Sequence, residues 1–168
     1  MRYCSSERYH YALADVHCRI FVENQLSCKE LRGGILKEVA AGIAVSGERV
    51  LVSRRAPGQS LAGLWEFPGG KVEAGEDVQT CIVRELKEEL GVRAIARNVI
   101  ARSEYAYPGG AIMLVAIEVI LEEAEFQLTV HDQHAWIELQ KLLELDLAPA
   151  DIPIAKKLQQ IYGKDLNT

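Results

Sequence analysis

The chain has 168 residues, of which 49% are hydrophobic and 26% charged, a composition typical of one ordinary globular domain with a substantial core. Its net charge of −5 argues against a nucleic-acid polymer as the main partner, because phosphate backbones are held by basic surfaces; a small phosphorylated ligand remains compatible. No apolar run is long enough to span a membrane and the N-terminus lacks a signal-peptide pattern, so we expect a cytoplasmic protein with no membrane partner.

The first 37 residues differ from the rest of the chain, since they contain three of the four cysteines and show no sustained periodicity. The cysteines have no CxxC or paired spacing, which suits a reducing compartment. A zinc site from Cys4, Cys18, Cys28 and a histidine would need spacings that match a zinc motif, and these match none. We predict a loosely ordered extension over residues 1–37, one domain over residues 38–163 and a tail over residues 164–168.

Two β-rich runs follow, Glu38–Val45 and Arg49–Arg54, and the intervening Ser46-Gly47-Glu48 predicts a hairpin. A turn-rich loop at residues 56–60 comes next. The segment 64–70 then leads into the most acidic part of the chain.

The stretch from residue 70 to residue 92 carries −3 of the net charge, and its second half predicts a helix over residues 78–90. Asp77 is the expected N-cap and Gly91 the expected C′ glycine. The apolar stripe of this helix consists of Cys81, Ile82, Leu86 and Leu90.

Three glutamates, Glu85, Glu88 and Glu89, project together from another part of the same helix. Like charges at this spacing destabilise an isolated helix. A solvated acidic face is one interpretation. The other is a site for a hard cation, because Mg²⁺ selects clustered carboxylate oxygens.

The order of residues around these glutamates is specific: Gly70, five residues, Glu76, seven residues, Arg84-Glu85-Leu86, one residue, Glu88-Glu89, one residue, Gly91-Val92. It resembles the Nudix box at every defined position, within a broader similarity over about residues 38–162. The resemblance implies an α/β/α sandwich with a mixed β-sheet between helices. It also implies a loop–helix–loop that binds Mg²⁺ or Mn²⁺ and hydrolyses a nucleoside diphosphate linked to another group.

The resemblance assigns metal binding to the three glutamates, one of which is also a candidate base. Gly69 and Gly70 lack a Cβ, so their backbone can approach a metal or a phosphate closely, and one of their carbonyls is a candidate ligand. Arg84 can reach Glu88 at i+4 and is expected to orient the cluster, while Glu76 is a candidate anchor of the loop.

Three further residues are candidates for substrate binding. Arg55 lies at the spacing from the glycine pair at which MutT-type members of the family have a phosphate-binding arginine; an exposed strand-end charge is the alternative. Lys71 can pair with phosphate or with Glu73. Asp151 is an N-cap candidate at the position where MutT-type enzymes read the base edge, which leaves base preference open between 8-oxoguanine and a pyrimidine.

The remaining chain predicts a hairpin of the strands 95–107 and 111–121, the second of them central and buried. Tyr105 and Tyr107 can stack on a base or form a cross-strand aromatic pair. A short strand over Phe126–Val130 and a polar loop over residues 131–134 are expected next, and then a terminal helix whose stripe is Ile154, Leu158 and Ile161.

In MutT-type enzymes, the loop before a tryptophan often carries a glutamate that helps to activate water. Counted back from Trp136, that position holds Val130. Three alternatives are open: His131 takes its place, Asp132 takes its place, or the glutamates of the helix act alone.

The resemblance thus implies an enzyme that converts a nucleoside triphosphate and water into a nucleoside monophosphate and pyrophosphate. The first hypothesis is 8-oxo-dGTP as substrate, in sanitation of the nucleotide pool. The alternatives are a CTP or 5-methyl-dCTP pyrophosphohydrolase and a non-catalytic nucleotide sensor. The sequence leaves a monomer and a homodimer open.

Overall fold

The computed structural model describes residues 20–21, 36–108, 110–122, 125–127 and 129–163. These residues leave out the three cysteines of the extension, most of the extension itself and the tail. The predictions made for those parts of the chain therefore lie outside the described residues. Within them, no helix is long and apolar enough to cross a bilayer.

The described chain forms nine strands, two α-helices and one 3₁₀ helix. The strands are β1 (Ile20–Phe21), β2 (Lys37–Ile43), β3 (Val45–Ser46), β4 (Arg49–Arg55), β5 (Trp65–Glu66), β6 (Gly69–Lys71), β7 (Ala94–Tyr107), β8 (Gly110–Leu121) and β9 (His131–Glu138). The helices are α1 (Val78–Leu90), the 3₁₀ helix (Leu139–Glu144) and α2 (Ile152–Tyr162).

Five strands form a mixed sheet in the order β1-β7-β8-β2-β6, in which only the β2–β8 pair is parallel. A second sheet is built around β4, with β9 along one edge and β3 and then β5 along the other. Because α1 and α2 belong to two separate apolar clusters on opposite faces of β2, the α/β/α sandwich with a mixed sheet is confirmed.

Alternation along β2 separates the two clusters. Ala40 belongs to the cluster under α1, whereas Ala41 and Ile43 belong to the cluster under α2. At Gly42 a Cβ would lie only 3.2 Å from Ile82 Cδ1, so glycine lets α1 pack closely against β2. The stripe of α1 is fully buried as predicted, and each large aliphatic side chain in it contributes about 1.5–3 kcal/mol of transfer free energy.

The ends of α1 are also as predicted. The Asp77 carboxylate accepts a hydrogen bond from the Thr80 N–H at 2.7 Å. Gly91 has a φ of 72° and its N–H donates to the Lys87 carbonyl at 3.1 Å. This helix follows entirely from local signals.

The first predicted hairpin is wrong for most of its first strand, which does not pair with the second. The run that begins at Glu38 divides at Ala44: β2 pairs with β6 and β8 in the mixed sheet, and only the two-residue β3 pairs with β4, across Gly47 and Glu48. The turn residues predicted the tight turn correctly. They carry no information about the distant strands with which most of the first run pairs.

The second predicted hairpin is confirmed as β7 and β8, which join between Tyr107 and Gly110, and β8 lies in the middle of its sheet. Tyr105 and Tyr107 form an aromatic pair with ring centroids 4.6 Å apart and planes tilted by 58°. The two rings lie on the same strand, so the expected cross-strand arrangement is wrong.

Two predictions between β8 and β9 are wrong. Where a strand was expected over Phe126–Val130, the described residues instead cap the C-terminus of α1. The Gln127 N–H donates to the Leu90 carbonyl at 2.8 Å, and Thr129 donates through its N–H to Glu89 O and through its hydroxyl to Glu88 O. The polar loop expected over residues 131–134 belongs to β9, because it pairs with β4.

The last helix begins and ends close to the predicted bounds, with two differences. Asp151 makes no side-chain cap, because its carboxylate accepts a hydrogen bond from the Phe67 N–H instead, at 2.9 Å. Ile154 and Leu158 are buried, whereas Ile161 is 39% exposed and lies at the edge of the apolar face.

Candidate active site

The carboxylate of Glu85 lies directly over Gly70, where β6 faces α1. A Cβ at position 70 would collide with both oxygens of that carboxylate. Gly69 has a φ of 151°, and a Cβ there would collide with the Ala40 carbonyl on β2. The described contacts of the glycine pair are thus a carboxylate and a neighbouring strand; the approach of a metal or phosphate stays a prediction.

One guanidinium, that of Arg84, contacts three carboxylates. Its Nη2 and Nε donate to Glu76 at 2.7 and 3.2 Å, and its Nη1 donates to Glu85 at 2.8 Å and to Glu88 at 3.3 Å. Hydrogen bonding to Glu76 raises the pKa of Arg84 above its ordinary value, and the same contact holds the pKa of Glu76 at about 2. Arg84 is therefore placed to set the relative positions of these side chains.

Glu76 also closes the loop that precedes α1. Its Oε1 accepts a hydrogen bond from the Glu73 N–H at 2.7 Å, in addition to the bond from Arg84. Arg84 Nη2 reaches the backbone carbonyl of Lys71 at 3.2 Å. The loop is thus tied to the helix at both of its ends, while Lys71 itself is exposed.

The three glutamates differ in environment. Glu89 is partly buried, and its Oε2 accepts a hydrogen bond from the Gly69 N–H at 3.1 Å. Burial is the main cause that raises the pKa of Glu89 to about 7; Glu66 and Glu85 act in the same direction, and His131 and the Gly69 hydrogen bond oppose them. The side chain of Glu88 is 60% exposed, in contrast to the 14% of Glu85.

The donor set suits a hard divalent cation. Carboxylate oxygens and glycine carbonyls are the ligands that Mg²⁺ and Mn²⁺ prefer. In the part of the chain that the structure describes, no three His, Cys, Asp or Glu side chains already surround a common point as ligands. Arg84 lies between Glu85 and Glu88, so Glu88, with its exposed side chain, is the residue free to turn towards a cation.

A second polar cluster lies beside the glutamates and joins three strands. Arg55 Nη1 on β4 donates to both oxygens of Glu66 on β5, at 2.8 and 2.7 Å. His131 Nε2, at the start of β9, lies 2.9 Å from Glu66 Oε1. The rest of the Arg55 guanidinium contacts Ser60, so in this structure Arg55 fixes the loop after β4, and its predicted phosphate contact stays a prediction.

Asp132 points away from this second cluster. It forms a two-bond ion pair with Arg54, at 2.9 and 2.8 Å, on an exposed surface. Arg54 and Arg55 have separate partners, Asp132 for Arg54 and Glu66 for Arg55, and the pairing of β4 with β9 shifts register between them. Of the two candidates for the missing loop carboxylate, only His131 forms a described contact with Glu66.

Asp151 is 5% exposed, and its carboxylate accepts a hydrogen bond from the N–H of Phe67, the residue after Glu66. Burial is the main cause that raises the pKa of Asp151 to about 8; Glu66 acts in the same direction, and the Phe67 hydrogen bond and Arg55 oppose it. Burial and, after it, the charge of Asp151 raise the pKa of Tyr107 to about 12. Burial of Asp151 thus favours its protonated form, which has a hydrogen to donate as well as an oxygen that accepts.

Glu66 is the residue that the sequence analysis missed. It contacts Arg55 and His131 and influences the pKa values of both Glu89 and Asp151. Its only local signal is a charged side chain between two aromatic residues in a short strand. Its importance arises from partners 11 and 65 residues away, which no local pattern shows.

A cleft of about 630 Å³ lies elsewhere, between the turn after β3 and the end of α2. Gly47, Glu138, Gln159 and Tyr162 are among the residues that line it. It contains none of the predicted site residues.

The sequence matches the NUDIX domain family over residues 36–158. It is 38% identical over 117 residues to the CTP pyrophosphohydrolase of Escherichia coli (strain K12), which covers 70% of this chain and 87% of that protein. It is 32% identical over 125 residues to the 8-oxo-dGTP diphosphatase of the same organism, covering 74% of this chain and 97% of that protein.

The fold has a solved counterpart in the solution structure of the E. coli ORF135 protein. The two superpose with a TM-score of 0.72 at 32% sequence identity, covering 83% of this chain and all of the other. The family match includes the glycine pair, the loop and all three glutamates of α1. The chain is therefore a member of the Nudix hydrolase family.

Proposed function

We propose that this protein is a metal-dependent nucleoside triphosphate pyrophosphohydrolase, which converts a triphosphate and water into a nucleoside monophosphate and pyrophosphate. The observation that carries the proposal is the group of three glutamates beside a glycine pair, in which Arg84 holds Glu85 and Glu88 and the Gly69 N–H holds Glu89. A bound Mg²⁺ or Mn²⁺ would supply charge neutralisation of the phosphates and a more acidic water.

The residues of the chain have separate tasks in this proposal. Glu85, Glu88 and Glu89 hold the metal, with the carbonyl of Gly69 or Gly70 as a further ligand. Arg84 keeps Glu85 and Glu88 in their relative positions and ties them to Glu76 through its three ion pairs. Lys71 is exposed beside the glycine pair and can bind a phosphate oxygen.

Asp151 reads the base in this proposal. As a neutral acid it presents one donor and one acceptor, which match the N7–H and O6 of 8-oxoguanine. The same pair also matches cytosine, whose ring nitrogen N3 accepts a hydrogen bond and whose N4 amino group donates one. We therefore propose 8-oxo-dGTP as the first substrate and CTP or 5-methyl-dCTP as the second, in keeping with the names of the two relatives.

A panel of nucleotides tests the assignment of substrate. Pyrophosphate release with Mg²⁺ is measured from 8-oxo-dGTP, dGTP, CTP, 5-methyl-dCTP and ADP-ribose. Preference for 8-oxo-dGTP over dGTP supports a sanitising enzyme, and preference for the cytosine nucleotides moves the protein to the second candidate. Tight binding without turnover of any of them would reject the enzyme proposal in favour of a sensor. The cytoplasmic location and the oligomeric state stay predictions that this panel does not address.

A further inference from the structure

The last turn of α1 is closed by a segment that follows β8. The last four carbonyls of an α-helix have no donor within the helix, and in α1 they belong to residues 87–90. The first of them, that of Lys87, accepts from the Gly91 N–H. The other three accept hydrogen bonds from Gln127 and Thr129. Each carbonyl at this end of the helix therefore has a donor from the protein.

Thr129 supplies most of these hydrogen bonds. Its N–H donates to the Glu89 carbonyl at 3.2 Å. Its hydroxyl oxygen lies 3.1 Å from the Glu88 carbonyl oxygen and 3.3 Å from that of Glu89, so the two carbonyls share its one hydrogen. The Gln127 N–H completes the set by donating to the Leu90 carbonyl at 2.8 Å. One side chain thus bonds to the backbone of two consecutive glutamates.

The segment that carries these donors is held by the rest of the fold. Phe126 packs against the apolar cluster under α1, and its ring centroid lies 4.5 Å from that of His134 on β9. Directly after Thr129, the Val130 carbonyl accepts a hydrogen bond from the Ala56 N–H at 3.2 Å, next to the end of β4. The donors are therefore fixed in relation to the sheets as well as to the helix.

Two of the three glutamates of α1 lie in the turn that this segment closes. Glu85 lies one turn earlier and accepts a bond of 2.8 Å from Arg84, whereas the bond from Arg84 to Glu88 is 3.3 Å long. Helix ends fray, and a displaced backbone at Glu88 and Glu89 would carry both carboxylates with it. Because Mg²⁺ demands ligands in a nearly ideal geometry, such displacement would weaken its binding.

We propose that Thr129 is a positioning residue of the metal site, whose hydroxyl and N–H fix the backbone that carries Glu88 and Glu89. This inference rests on the proposed function, in which these glutamates hold Mg²⁺ or Mn²⁺. The described hydrogen bonds of Thr129 go to main-chain carbonyls, so it acts through the glutamates and not on the cation itself. Its loss should therefore weaken metal binding without abolishing it.

The first test is Thr129→Val in the full chain, which removes the hydroxyl and keeps the size of the side chain and the backbone N–H. Binding of Mn²⁺ alone, without nucleotide, is followed by the loss of the electron paramagnetic resonance signal of the free ion. We expect the Kd for Mn²⁺ to rise by about threefold to tenfold, which corresponds to the loss of one hydrogen bond. Thr129→Ser keeps the hydroxyl, and its Kd should stay within about twofold of that of the unaltered protein.

Thr80→Val is the matched control, because it removes a hydroxyl from the opposite end of the same helix. The Thr80 side chain bonds to Asp77, the N-cap of α1. The control should leave the Kd for Mn²⁺ unchanged. Both Thr→Val variants should lower the melting temperature by a similar amount, about 2–4 °C at most. Weaker Mn²⁺ binding by Thr129→Val alone would then not be explained by lost stability.

Turnover gives a second readout on whichever nucleotide the unaltered protein hydrolyses. In Thr129→Val, the Mg²⁺ concentration that gives half of the maximal rate should rise by the same factor as the Kd for Mn²⁺. At saturating Mg²⁺, kcat should stay within about twofold of that of the unaltered protein, because the bound cation itself then holds the carboxylates. A merely structural role of Thr129 would not separate these two quantities.

Three results would overturn the inference: a Thr129→Val protein that binds Mn²⁺ within about 1.5-fold of the unaltered protein, a Thr129→Ser protein that is impaired as much as Thr129→Val, or an equal loss of Mn²⁺ binding in Thr80→Val. Absence of Mn²⁺ binding by the unaltered protein would also refute it. If the unaltered protein binds Mn²⁺ but hydrolyses none of the nucleotides, the proposed function fails, while the comparison of Kd values still decides the role of Thr129.

Discussion

Glu88 is the most exposed of the three glutamates of α1, and its one described side-chain contact is the 3.3 Å bond from Arg84. A single long contact to an exposed carboxylate contributes little to stability. Its carboxylate is therefore better explained by a ligand role than by the fold.

Replacing this carboxylate separates function from stability. Glu88→Gln should lower kcat by at least about 100-fold, equivalent to roughly 2.7 kcal/mol of barrier, because an amide is a much weaker ligand for Mg²⁺. Its melting temperature should match that of the unaltered protein. Glu73→Gln, in the exposed loop before α1, is the control and should change neither quantity. A Glu88→Gln protein with near-normal turnover would remove Glu88 from the metal site.

The raised pKa of Asp151 leads to a prediction about how the stability of the protein depends on pH. Burial raises its pKa from the ordinary 3.8 to about 8, so between these values the folded state keeps a proton that the unfolded state releases. Stability attributable to this group therefore falls as pH rises through that window. Asp151→Asn has no proton to release, so its free energy of unfolding, relative to the unaltered protein, should increase from pH 5 to pH 8.

Denaturant titrations at several pH values measure this difference directly. The two proteins should differ least below about pH 4, where the carboxyl is protonated in both states. Parallel curves from pH 4 to pH 8 would show that Asp151 is ionised in the folded protein, and the donor–acceptor account of base reading would then fail.

At the scale of elements, the approach of α1 to β6 depends on Gly70. Gly70→Ala should displace the Glu85 carboxylate, which a Cβ there would meet, and lower kcat by about tenfold or more. Gly58→Ala is the control for backbone strain: its φ is 91° and nothing lies near its Cβ, so it should cost about 1 kcal/mol of stability with no change in kcat. Equal effects of both substitutions on kcat would show that Glu85 does not need its present position.

The same element shows what the sequence can predict. The start, the end and the buried stripe of α1 follow from a cap, a C′ glycine and a 3.6-residue period, all within 15 residues. The partners of β2 and of β9 do not, since they depend on distant strands: Lys37 pairs with Ile112, and Arg49 pairs with Glu138. Segment Phe126–Val130 carries the signal of a strand, yet the described hydrogen bonds donated by Gln127 and Thr129 go to the carbonyls that end α1.

The same distinction applies to the site. The glutamates of α1 and Arg84 lie within two turns of one helix, so their spacing in sequence is their spacing in space. Glu66 contacts His131, which is 65 positions away, and Asp151 contacts Phe67, which is 84 positions away. No local pattern could therefore predict the role of Glu66 or the loss of the expected N-cap. The carboxylate of Asp151 accepts from the Phe67 N–H rather than from its own helix, because a buried N–H needs an acceptor.

At the scale of the molecule, we predict that the described fold depends little on the residues before β2. The match to the family begins at residue 36, and the one described strand before it, β1, pairs with only Arg102 and Ser103 on β7. Deletion of residues 1–35 should therefore leave soluble expression, the melting temperature and turnover close to those of the full chain. Loss of soluble protein or of turnover would make the extension part of the domain.

The site as a whole is assembled from six elements: β4, β5, β6, α1, β9 and the start of α2. Its glutamates have a function only if a divalent cation joins them to a phosphate chain. The central claim therefore concerns the whole folded protein and its dependence on metal.

The most direct measurement follows the products formed from 8-oxo-dGTP by the full-length protein, with Mg²⁺, with a chelator, and after Mg²⁺ is restored. The account predicts one nucleoside monophosphate and one pyrophosphate per triphosphate, loss of both with the chelator, and recovery with the metal. Hydrolysis that continues in the chelator, or release of orthophosphate in place of pyrophosphate, would contradict it.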